Sequence, residues 1–186
     1  MNTFNDPSKL HDPGGSVRWP LPPGMRGSAV FSPCGKYRTC LERDWTAEGE
    51  APRTIMYLGK NPSTADAVTQ DPTCQKETSR AQVLGYTRYL KGNVLDYRAT
   101  DPRDLPQDPA LACSDRNLPD LLSMAAESEI IVMVYGRLHP RYAPVVGTIV
   151  EAIRNTGKPL FCFGRNQDGS AKHPLYLRND SPLLPF

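Results

Sequence analysis

Apolar residues along this chain gather in short runs, each closed by glycine or by a polar segment, and the spacing alternates between that of a strand and that of a helix. Ile55 to Gly59 is a mostly apolar run of buried-strand length, and it enters a polar loop where Asn61-Pro62 marks a sharp turn. Ser63, Thr64 and Asp66 are good helix-capping residues, and a helix is expected from Thr73 to about Leu84, closed by Gly85. Asn93 to Tyr97 reads as a second strand, followed by the polar run Arg98 to Asp104. Leu118, Leu121, Leu122 and Ala125 fall at helical spacing and predict a helix from about Arg116 to Ser128. Glu129 to Gly136 is apolar on both faces, the mark of a central strand. Val145 to Thr156 predicts a helix stopped by Gly157 and Pro159, and Leu160 to Gly164 a last core strand. Upstream, Ala29 to Leu41 fits two short antiparallel strands about the turn Ser32 to Gly35.

Strands that alternate with helices predict an α/β protein: a three-layer sandwich with a mostly parallel central sheet of about four strands, plus an N-terminal hairpin. Residues 1–27, rich in Pro, Gly and Asp, predict an irregular or disordered arm, and residues 28–186 a single α/β domain. In a parallel sheet the carboxyl ends of the strands share one edge. The polar loops after them therefore converge, and open α/β sheets bind their ligands there.

Composition narrows the function classes. The net charge of +2 supplies no strong pull towards nucleic acid or a membrane, although Arg80, Arg88, Lys91, Arg98 and Arg103 fall in a short span. The five cysteines (Cys34, Cys40, Cys74, Cys113 and Cys162) show no CxxC or paired metal spacing, so neither a disulfide framework nor a metal site is expected. No apolar leader follows Met1 and no apolar run is of bilayer length, so the expected location is cytoplasmic, with no membrane partner. The absence of a P-loop, a serine elbow and a Gly-rich dinucleotide fingerprint argues against a nucleotide hydrolase and an α/β-hydrolase, and no cofactor is expected.

The strand-end loops carry the candidate chemistry. The first offers Gly59, Lys60, Asn61, Ser63, Thr64, Asp66 and Asp71. Its Asn61 amide both donates and accepts, and the two aspartates can orient a water or accept from a ribose or an amine. Turn and cap roles for Asn61 and Asp66 are the plain alternative. The second loop holds Asp96 and Arg98; the guanidinium can clamp a phosphate or carboxylate, or pair internally with an aspartate. Gly136 closes the third strand, and the tail Lys172 to Tyr176 brings His173 and Tyr176. His173 is suited to general acid work, to hydrogen bonding a developing anion, or to a structural place before Pro174.

The strings Asn61 to Asp66, Asp71 to Thr73, Arg98 to Pro102 and His173 to Leu177 resemble those of a bacterial and phage family known only as domain of unknown function 1643, over about residues 29–186. A looser resemblance links Tyr57 to Ser63 with the first motif of the uracil-DNA glycosylase superfamily, in its mismatch-specific branch. That resemblance implies a glycosylase-like fold, with Asn61 positioning the attacking water and His173 facing the base or the phosphate. Tyr57, Tyr97 and Tyr135 are then candidates to stack on an extruded base. The expected function is that of an enzyme acting on a nucleobase, nucleotide or nucleic acid by N-glycosidic hydrolysis, with Asn61, Asp66 and His173 catalytic, in a phage or defence setting that handles modified bases. The alternatives are a non-catalytic nucleotide, nucleic-acid or partner-binding domain, and a nucleoside-transferring enzyme with a carboxylate nucleophile at Asp66 or Asp71.

Overall fold

The computed structural model describes residues 6–178 and 180–186. In chain order the elements are β1 (Trp19–Pro20), β2 (Arg26–Phe31), β3 (Arg38–Asp44), β4 (Thr54–Gly59), β5 (Thr69–Gln70), α1 (Pro72–Val83), β6 (Arg88–Asn93), α2 (Asn117–Glu127), β7 (Ile130–Met133), α3 (Ala143–Arg154), β8 (Leu160–Cys162) and β9 (Leu184–Pro185). Seven of the strands form one sheet in the order β2-β3-β6-β4-β7-β8-β9.

This corrects the expected sheet of about four mostly parallel strands. The pairings β6–β4, β4–β7 and β7–β8 are parallel, while β2–β3, β3–β6 and β8–β9 are antiparallel. The sheet is seven-stranded and mixed. The hairpin β2–β3 does not stand apart, because β3 docks on β6 from Asp44↔Arg88 to Leu41↔Lys91. The tail supplies β9 at the far edge, where Cys162 faces Leu184.

The second core strand also lies upstream of its expected place, at Arg88–Asn93 in place of Asn93 to Tyr97. Its ladder contains Lys91, Gly92 and Asn93, polar or small residues that hide a buried strand from a hydrophobicity pattern. Gly92 is required by packing: a Cβ there would fall 2.2 Å from Leu121 Cδ2.

Alternation along β4 divides the core into two. Met56 and Leu58 join Leu121, Met124, Ile149 and Ile153 beneath α2 and α3. Ile55 and Tyr57 join Cys74 and Ala81 beneath α1 on the other face. The chain runs β4–α1–β6 in one direction across the sheet, then β6–α2–β7 and β7–α3–β8 in the other. The crossovers diverge between β4 and β7, which is the switch point where such sheets form a ligand crevice beyond their carboxyl ends.

From Asp6 onward the arm is described and lies on the domain. Arg98 Nη1 donates to the carbonyls of Ser8, His11 and Gly35 at 3.0, 3.2 and 2.7 Å, and β1 pairs with β5. The part of the arm before Asp6 lies outside the described residues.

Candidate functional site at the carboxyl edge of the sheet

Gly59 ends β4 at the switch point, where any side chain would push aside the tips of Lys91 and Asn93. A Cβ would fall 2.6 Å from Lys91 Nζ and 2.8 Å from Asn93 Oδ1. Lys91 and Asn93 are two apart on β6 and therefore share the α1 face of the sheet. Lys91 is 4% exposed and meets Glu77 of α1, 0% exposed, through both carboxylate oxygens at 2.6 and 2.8 Å; Tyr89 Oη donates to the same carboxylate at 2.6 Å. Burial pushes the Glu77 carboxyl up, and the lysine and the tyrosine pull it back.

Asn93 is 1% exposed, and neither its Nδ2 nor its Oδ1 has a hydrogen-bond partner among the described residues. Its carbonyl is bonded, accepting from Asn117 Nδ2 at 3.1 Å. A buried amide left unpaired at both ends costs on the order of 1–3 kcal/mol per group. Such a group, held at the ligand edge of an α/β sheet, is complementary to a ligand that carries one donor beside one acceptor.

Across the switch point, Gly136 has φ 66° and a backbone N–H that donates to Ala171 O at 2.9 Å. The position of its absent Cβ lies 3.3 Å from His173 Cβ and 3.8 Å from Lys60 Cε, so Gly136 brings histidine and lysine together. His173 caps the short 3-10 turn Pro174–Tyr176, and its Nδ1 accepts from Leu175 N at 3.3 Å. That bond assigns the ring proton to Nε2. Burial, with Lys91 and Lys60 adding to it and Asp71 opposing, lowers the His173 pKa to about 4. The ring is therefore neutral at pH 7 and keeps a donor at Nε2. Lys60 is itself pushed down by burial. The turn is fastened to α1: Lys76 Nζ donates to Leu175 O at 3.3 Å and to Leu177 O, and Arg80 donates to Ser181 O.

The remaining sequence-predicted residues are placed as follows. Asn61 Nδ2 donates to Ala99 O at 2.6 Å and Pro62 O at 3.0 Å, tying the first loop to the second. Ser63 and Thr100 share a hydroxyl contact of 2.7 Å, and Thr64 Oγ1 donates to Val17 O of the arm at 3.4 Å. Asp66 Oδ1 accepts from Val68 N, Thr69 N and Thr69 Oγ1 at 2.8–2.9 Å, a turn-bracing arrangement. Asp71 caps α1 through Cys74 N at 2.8 Å and remains within electrostatic reach of His173. Asp96 accepts from Ser114 N and Oγ, and burial raises its pKa. Arg98 clamps the arm, and burial, with Arg38 beside it, lowers its pKa to about 10. The 3-10 turn carries Tyr176, whose side chain lies outside the described residues.

The structure thus brings Gly59, Lys60, Gly136 and His173 together at the switch point, with Asp71 within electrostatic reach on the α1 side, and leaves Asp66, Asp96 and Arg98 bracing loops. Of the three tyrosines considered for stacking, Tyr57 is fully buried against Tyr89 and Phe163, Tyr97 packs on His11 and Tyr37, and Tyr135 belongs to the core under α3. Lys91, Asn93 and Glu77 were not among the expected residues. Their one signal was a polar pair two apart, directly before the apolar Val94-Leu95. Among the described residues, no group of three or more His, Cys, Asp or Glu side chains is placed to hold a metal ion.

The fold and the site define a mixed-sheet α/β protein with a cluster of lysine, histidine and buried amide side chains at its topological switch point. A family model described as "Protein of unknown function (DUF1643)" matches residues 38–175, most of the chain, and the protein belongs to that family. No curated protein and no solved structure matches it. Among the described residues, no helix is long and apolar enough to cross a membrane.

Proposed function

We propose that the protein is an enzyme that binds a nucleobase-bearing small molecule in the crevice between β4 and β7 and hydrolyses its N-glycosidic bond. The observation that carries this reading is the buried, unpaired amide of Asn93 beside Gly59. One donor next to one acceptor complements the N–H and C=O edge of a nucleobase. In the reaction a water oxygen bonds to the anomeric carbon as the C–N bond breaks, and the base leaves with the electron pair. The proton that the water gives up ends on the departing base; the neutral His173 ring, with its proton on Nε2, hydrogen-bonds that base, and Lys60 beside it supplies a positive field as charge builds there. Asn61 is held by its Nδ2, and no described residue donates to its Oδ1, which makes that oxygen the acceptor for the attacking water. The net charge of +2 favours a small substrate over a long phosphate backbone.

A second reading, a non-catalytic binding domain, is favoured by one observation. Asp66 and Asp71 both spend Oδ1 on backbone amides, as turn and cap residues do.

The test is a panel of nucleosides and nucleotides assayed for base release and for thermal shift. Asn93→Ala is expected to abolish the shift induced by nucleosides. His173→Ala is expected to lower base release by about 10²–10⁴-fold while the protein stays folded. A ligand bound with no turnover by the unmodified protein selects the binding-domain reading. Nucleoside binding unchanged in Asn93→Ala removes the site at Asn93 from consideration.

A further inference from the structure

On the opposite face of the sheet, the carboxyl ends of β7 and β8 border a second cavity of about 450 Å³, within the range of small-molecule sites. One wall is the flank of α3 at Val146, Gly147 and Val150, and the other is the turn after β8. Two guanidinium groups stand over one ring at its rim: Arg165 lies 4.0 Å and Arg154 5.4 Å from the centroid of Phe186. Among the described residues neither arginine forms an ion pair, and the carboxylate nearby, Asp168, faces Arg137 at 3.5 Å. Like charges gathered on one ring repel each other, and an anion between them relieves the repulsion. The fork of donors on each arginine suits phosphate oxygens in particular. The walls have room: a Cβ added at Gly147 or Gly169 would meet nothing within 4 Å.

We propose that this cavity is a second binding site, for a phosphate monoester of a small molecule, with the phosphate between Arg154 and Arg165 and an apolar or aromatic body against α3. The site is separate from the crevice at Asn93, and the inference does not rest on the N-glycosidic reading. Inorganic phosphate shares only the anion; a nucleoside shares only the body; a nucleoside monophosphate has both.

Calorimetric titration of the full chain with 5′-UMP, uridine and inorganic phosphate tests it, using Arg154→Gln/Arg165→Gln, Gly147→Met and Asn93→Ala. Gly147→Met fills the open wall and favours the helix, so it blocks the cavity without threatening the fold. The expected result is UMP affinity lowered by about 10-fold or more in the arginine variant and in Gly147→Met, as loss of a charge-assisted contact predicts. The advantage of UMP over uridine is retained in Asn93→Ala. Three results would overturn the proposal: no UMP binding by the unmodified protein, UMP binding unchanged in both cavity variants, or the UMP advantage lost only in Asn93→Ala. A short DNA duplex that binds tighter than UMP, with steep salt dependence lost in the arginine variant, also overturns it and gives the arginines to a nucleic-acid backbone.

Discussion

Lys91 and Glu77 show how a charge is kept inside a sheet. Taking two ions out of water costs several kcal/mol each, and their attraction repays this only with good geometry and further hydrogen bonds. Here the contact is two-pronged and Tyr89 adds a third bond. Lys91→Met alone strands the Glu77 carboxylate and is expected to cost about 3–5 kcal/mol. Adding Glu77→Gln should recover most of that loss, because a neutral amide needs no counter-charge and still accepts from Tyr89. A double-mutant cycle by urea unfolding checks the coupling; simple additivity of the two changes would show that the pair is not energetically joined. These residues were the least legible part of the site. A lysine and an asparagine in sequence read as surface or loop; Lys91 is held inward by Glu77 of the helix before β6, and nothing local marks either residue as buried. Gly136 was easier to find, because it closes a run whose strand character local apolarity alone reveals, and His173 because it is the histidine in the tail after the last such run.

The elements around the crevice are braced by buried arginines that bond to backbone carbonyls. From β3, Arg38 donates to Ala65 O, and Arg43 donates to Asp66 O and Thr69 O, so the loop after β4 is shaped from beneath. Arg98 does the same for the arm, and its guanidinium lies 4.8 Å from the Phe31 ring centroid. Hydrogen bonds to charged groups contribute about 1.5–3 kcal/mol, so Arg98→Ala should lower the opening free energy of the arm by about that amount. Hydrogen exchange is the readout: amides around residues 10–18 should exchange faster while β4 and β7 keep their protection. Equal loss of protection in both regions would mean that Arg98 supports the whole fold. At this scale the sequence spoke clearly for β4, β7, β8, α2 and α3, whose periods are local, and for α1 through its capping residues and Gly85. It expected an irregular or disordered arm because Pro and Gly composition reports backbone freedom and carries no sign of a distant cation that collects carbonyls.

For the molecule as a whole, the seven-stranded mixed sheet arises from the docking of β3 on β6 and of β9 on β8. Neither pairing leaves a mark in any short window of sequence, which is why the sheet was expected to be smaller and more nearly parallel. Stability should carry the imprint of His173. Its pKa is lowered from 6.5 to about 4 on folding, so the native state resists a proton that the unfolded chain accepts. Above pH 6.5 the effect is absent; as pH falls from 6.5 towards 4, stability drops, by up to about 3 kcal/mol in total. Urea midpoints at pH 7.5, 6 and 5 should fall in the unmodified protein and flatten in His173→Gln. Parallel pH curves for the two proteins would show that the histidine titrates alike in both states.

The clamp of Arg98 on the arm also sets a timetable for synthesis. The carbonyl of Ser8 leaves the ribosome 90 residues ahead of the guanidinium that will hold it. At about 5–20 residues per second the arm waits on the order of 5–20 s with nothing to dock against. During that interval its prolines are free to sample either peptide isomer, so the arm settles on the domain only after a stretch of chain made well after it.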